Sequence, residues 1–100
     1  MHSKQKELVE IIVELFGQAQ LITNQKEIKL EIPRIATINA IAKPLAKKYS
    51  ELVGPVIKHN CIELQSSYIA NLNGITLLSE NSFELHDGDH ILIFSSQAGG

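Results

Sequence analysis

One hundred residues with 44% hydrophobic content suit a single folded domain with a modest core and argue against a disordered chain. The formal net charge of −2 argues against nucleic acid as the main partner. The single cysteine, Cys61, excludes an internal disulfide framework and suits a reducing compartment. Glu7, Glu10 and Glu14 break up any signal-peptide core or membrane span near the start, so no membrane association and a cytoplasmic location are expected.

Residues 8–16, Leu-Val-Glu-Ile-Ile-Val-Glu-Leu-Phe, are rich in β-branched side chains and read as a strand. Gly17 punctuates it, and Thr23-Asn24 suggests a polar turn. Lys26 to Ile32 then alternates. Ile28, Leu30 and Ile32 share one face, and Glu27, Lys29 and Glu31 share the other, which predicts a strand with one wet side that closes a hairpin. Pro33 stops it.

Thr37 is a candidate N-cap for a helix over 38–49. Ile38, Ile41, Ala42, Leu45, Ala46 and Tyr49 follow helical spacing, with Lys43, Lys47 and Lys48 outside. Pro44 lies too deep for a first-turn proline and predicts a kink or a split. Gly54-Pro55 marks a turn, and residues 56–57 and 61–64 suggest short strands. Tyr68 to Leu72 reads as a strand ended by the Asn73-Gly74 turn, and Ile75 to Leu78 as a short apolar element. Asp87-Gly88-Asp89 is a second turn, and Ile91 to Phe94 form the last strand. The expected organisation is one domain over 1–94 and a flexible, small-residue tail over 95–100.

A hairpin, a crossover helix and returning strands make an α+β roll: a mixed sheet with one main helix packed across one face. Ile28, Leu30, Ile38, Ile41, Leu45, Ile91 and Ile93 are the expected core. If Ile91 and Ile93 face inward, alternation turns Leu92 and Phe94 to the other face, where two large apolar groups suggest partner docking. The competing structural reading places a second small core there, beneath residues 50–67. Lys58 is the only base after Ser50, so this half is acidic, and Glu84, Asp87 and Asp89 are expected to steer a basic partner.

Three motifs occur in order: Leu15-Phe16-Gly17-Gln18-Ala19, Asn73-Gly74, and Leu85-His86-Asp87-Gly88-Asp89 followed by an apolar strand and Gly99-Gly100. Together they resemble the MoaD/ThiS-type sulfur carriers, which are ubiquitin-like β-grasp proteins. The resemblance spans roughly residues 8–100 and is thin at 50–67, a stretch that reads as an insert and favours the molybdopterin synthase small subunit. Ser95-Ser96 stands where many members have Pro-Pro, and Gln20 where arginine is frequent.

The resemblance implies a carrier without catalytic side chains of its own. Gly99 and Gly100 would be the reactive end, with Leu92, Phe94, Ser96, Gln97 and Ala98 docking on partners. A ubiquitin-activating (E1-like) adenylating enzyme, holding the ATP, would form an acyl-adenylate at Gly100. A persulfide donor would convert it to a thiocarboxylate for the molybdopterin synthase large subunit or another sulfur acceptor. Glycine suits this position because a backbone without Cβ can thread a narrow channel. Conjugation to target lysines, or sulfur delivery for thiamine or cysteine biosynthesis, fits the same motifs.

No cofactor or metal is expected. His86 and His90 flank Asp87-Gly88-Asp89, which breaks any helix, so their spacing does not bring the rings together. No G-x-S-x-G elbow or glycine-rich phosphate loop is present. Cys61 has no evident histidine partner and reads as packing.

Overall fold

The computed structural model describes residues 7–96. Strand β1 (Leu8–Leu15) buries every second residue, with Val9, Ile11, Val13 and Leu15 facing inward. It pairs antiparallel with β2 (Glu27–Pro33), whose Ile28, Leu30 and Ile32 face the same way. The connection holds a six-residue helix, α1 (Gln18–Thr23), where a plain turn was expected. Gly17 starts it at φ 58 and ψ −129, a left-handed corner that a Cβ disfavours. Asn24 closes it in the αL region, and Thr23 Oγ1 donates to the Ala19 carbonyl at 3.0 Å.

A two-residue strand, β3 (Ile35–Ala36), leads into α2 (Ile38–Lys48). Thr37 occupies the N-cap position, but its side chain makes no capping bond. The helix runs through Pro44 as one element and is not split there. Proline removes one intrahelical N–H, yet Ile41 and Ala42 before it and Leu45 and Ala46 after it are buried in one core, and that packing holds both flanks. Ile38 is only half-buried, because it opens the helix at the margin of the core rather than over it.

Residues 50–67 contain a 3-10 turn (Ser50–Leu52) and isolated bridges joining Val53 to Ile57 and Ile57 to Leu64, in place of the short strands expected there. Leu52, Val56 and Ile57 are fully buried in the main core. The chain then returns through β4 (Tyr68–Leu72), β5 (Thr76–Leu77), β6 (Phe83–Glu84) and β7 (His90–Ser95). The main sheet has the order β2-β1-β7-β4-β5, with β7 parallel to β1 and antiparallel to β4. A parallel central pair with antiparallel flanks requires the crossover through α2. β3 and β6 form a small second sheet, which the sequence reading did not foresee. The result is the expected α+β grasp of a mixed sheet around one main helix.

Candidate functional site

The last strand is central to the sheet and splits its side chains by alternation. Ile91 and Ile93 are 0% and 1% exposed and pack in the core. Leu92 and Phe94 point to the other face and are half-buried. Register places Ile69 opposite Phe94, Asn71 opposite Leu92, and Glu14 beside Leu92 on β1. None of Ile12, Ile69, Leu92 or Phe94 belongs to the core cluster or to the partly buried residues packed against it. Residues 50–67 join the main core through Leu52, Val56 and Ile57, so the second-core reading loses its principal support. The outer sheet face is an apolar strip with a charged flank.

The acidic residues expected to steer a partner lie around the start of β7, nearer Leu92 than Phe94. Asp89 precedes β7 and Phe94 lies near its end, about 17 Å away at ordinary strand rise. Glu84 is ion-paired with Arg34, and Asp87 Oδ1 accepts the Glu10 N–H at 2.9 Å. Asp89 Oδ2 accepts the His86 N–H at 2.8 Å. Asp87 thus ties the turn before β7 to β1, Asp89 closes that turn on itself, and Glu84 ties β6 to the residue between β2 and β3. The acids beside the apolar strip are instead Glu14 and, across the β1–β2 pair, Glu27.

The route to the tail is fixed at its base. Ser96 is exposed, yet its N–H donates to the Ser67 carbonyl at 2.7 Å and its hydroxyl donates to the same oxygen at 3.1 Å. The chain therefore leaves the sheet at a defined point, next to Phe94. Gln97, Ala98, Gly99 and Gly100 lie outside the described residues.

Two features had no clear signal in the sequence. His90 Nδ1 lies 2.6 Å from Glu14 Oε2, with Glu27 close by, whereas His86 is turned to Glu84 and Asp89 at 3.9 and 3.8 Å. The two histidines thus serve separate clusters, as the intervening turn predicts. An open groove of about 490 Å³ lies between the start of α2 and the β4–β5 region, lined by Ile38, Leu64, Tyr68, Leu78, Glu63 and Glu80 among others. Among the described residues, no helix is long and apolar enough to cross a membrane.

Comparison with solved structures settles the fold. Small archaeal modifier protein 1 from Methanosarcina acetivorans superposes with a TM-score of 0.75 at 21% identity, covering 95% of this chain and 100% of that one. The Haloferax volcanii protein of the same name gives 0.74 at 18% identity, covering 91% and 99%. A putative molybdopterin converting factor subunit 1 from Pyrococcus furiosus gives 0.62 at 19% identity, covering 87% and 97%. The chain has the ubiquitin-like β-grasp fold. No protein-family model matches the sequence, and no curated protein matches it. In this β-grasp the apolar strip on β7 runs to the Ser96 exit, and the final glycines come four residues later in the sequence.

Proposed function

We propose that this β-grasp protein is a carrier whose Gly100 carboxylate is activated by a partner, and that it delivers sulfur as a thiocarboxylate. The observation that supports this most is the layout of β7: an apolar outer strip at Leu92 and Phe94 leads to a fixed, exposed exit at Ser96, four residues before Gly100. A partner that holds the strip has the tail within reach.

A carboxylate is a weak electrophile, so it needs a leaving group. Its oxygen attacks the α-phosphorus of ATP on the adenylating enzyme, expelling pyrophosphate and forming the acyl-adenylate. The terminal sulfur of a persulfide attacks the acyl carbon and expels AMP. A thiol then reduces the resulting acyl disulfide, leaving the thiocarboxylate. In the molybdopterin role, the tail enters a large synthase subunit and supplies dithiolene sulfur. This chain contributes binding surface and the reactive end, and the partners contribute the catalytic side chains.

Conjugation to lysine is the second reading. The higher TM-scores, 0.74 and 0.75, belong to modifier proteins, against 0.62 for the converting-factor subunit. Chemistry up to the adenylate is common to both. Incubation with an adenylating enzyme and ATP, with either a persulfide donor or a lysine-bearing acceptor, separates them. The first product is heavier by sulfur-for-oxygen exchange, and the second carries an isopeptide bond. Absence of both products overturns the proposal.

A further inference from the structure

Glu14 on β1 and Glu27 on β2 stand directly opposite one another. The Leu15 N–H donates to the Lys26 carbonyl at 2.8 Å, so residues 15 and 26 form a hydrogen-bonded pair. The next pair, Glu14 and Glu27, is therefore a non-hydrogen-bonded one, whose side chains approach most closely. Two carboxylates facing each other in that position repel. Among the described residues, the ion pairs made by lysine or arginine are Arg34–Glu84 and Lys58–Glu63, so neither carboxylate is matched by one.

His90 enters from β7, on the other side of β1, in register with Ile12. Its Nδ1 is 2.6 Å from Glu14 Oε2, and the two side chains are 36% and 20% exposed. One ligand atom each from Glu14, Glu27 and His90 lies within 4.8 Å of the other two. The three residues come from three adjacent strands, β2, β1 and β7, so the sheet itself holds their spacing.

We propose that Glu14, Glu27 and His90 form a binding site for a zinc-class divalent cation. One imidazole nitrogen and two carboxylate oxygens form a donor set that zinc accepts at about 2.0–2.2 Å, which puts ligand atoms roughly 3.3 Å apart in a tetrahedron. Glu27 closes in, and the Glu14–His90 pair opens slightly as its hydrogen bond is exchanged for two bonds to metal. The imidazole disfavours magnesium and calcium, which take oxygen ligands in larger number. All three ligands rise from one sheet face, so the fourth position points away from the sheet, beside Leu92. Lys29, opposite Ile12, is the next charged residue along the same face, and the Glu10–Glu31 pair lies two residues further on. The cation would relieve the carboxylate repulsion whether or not the protein carries sulfur.

The test is calorimetric titration of the full, chelator-treated chain with zinc chloride, repeated on Glu27→Gln and His90→Gln, with magnesium chloride as control. Glu27 is exposed, so its amide variant keeps the fold. Expected are one equivalent of zinc on the wild type, a tenfold or greater loss of affinity in each variant, no saturable magnesium binding, and a zinc-dependent shift of the His90 imidazole resonances. Absence of saturable zinc binding overturns the proposal. So does wild-type affinity in both variants, which would place zinc on His2, His59, His86 or Cys61. Weakening in His90→Gln alone reduces the site to a single histidine and overturns it as well.

Discussion

Asn73 and Asp89 bind each other: Asn73 Nδ2 donates to Asp89 Oδ1 at 3.1 Å, linking the two turns that border β4 and β7. The bond sits within a small network. The His90 N–H donates to Asn73 Oδ1 at 2.8 Å, and the Asn73 N–H donates to the His90 carbonyl at 2.8 Å. Asp89 Oδ2 accepts the His86 N–H at 2.8 Å, and the Asp89 carbonyl accepts the Ile12 N–H at 2.9 Å. Asn73 and Gly74 both have positive φ, 57 and 73, as a tight two-residue turn between twisted strands requires. These two motifs thus fix β7 in place and carry no reactive group of their own.

Asp89→Ala removes the acceptor for the Asn73 amide and the His86 N–H. The Asp89 side chain is 17% exposed but both donors lie at the surface, so what is lost is the net value of two charge-assisted hydrogen bonds. The expected cost is about 1–3 kcal/mol. Urea denaturation checks it, and the fold should survive with its midpoint lowered.

Leu45 is 1% exposed on the buried face of α2. Leu45→Ala should cost about 2–5 kcal/mol, the range for a buried leucine that leaves a cavity. The same denaturation experiment, with m-values compared to test for two-state behaviour, measures it. A change below about 1 kcal/mol would contradict the placement of α2 over the sheet.

Phe94 is half-buried and lies outside the core cluster. Phe94→Ala should lower stability by less than about 1 kcal/mol. Binding to an adenylating enzyme should weaken about tenfold or more, or about 1.4 kcal/mol, as expected for a central aromatic anchor. Titration calorimetry of both proteins against the enzyme decides it. Equal affinities would remove the outer strip from the docking surface.

The sequence was legible where burial repeats at a fixed period. The alternation of Ile28, Leu30 and Ile32 and the helical spacing of Ile41, Ala42, Leu45 and Ala46 identified β2, α2 and their inner faces. Tyr68 to Leu72 and the Asn73-Gly74 turn were equally clear. Short elements gave no such signal. α1 has six residues, too few for a period, and its Gly17 start offers no side-chain cap. β6 is two residues long and exists only because Phe83 and Glu84 meet Ala36 and Ile35. Pro44 gave a true local signal, and packing on both sides keeps the helix one element across it. The Glu14–His90 contact joins residues 76 apart, a pairing set by the parallel β1–β7 register. The outward face of Leu92 and Phe94 was legible because alternation alone assigns it.

The proposed reactive group, the Gly100 carboxylate, is tested by intact-protein mass after incubation with adenylating enzyme, ATP and a persulfide donor. The unmodified chain should gain the mass of sulfur-for-oxygen exchange. A chain extended by one residue beyond Gly100 should gain nothing, and Gly99→Val should nearly match it, since a β-branched side chain stiffens and thickens a tail that must enter a narrow channel. All three proteins should keep the same fold by circular dichroism. If the extended chain shows the same mass gain as the unmodified one, the terminal carboxylate is not the reactive group and the carrier reading is contradicted.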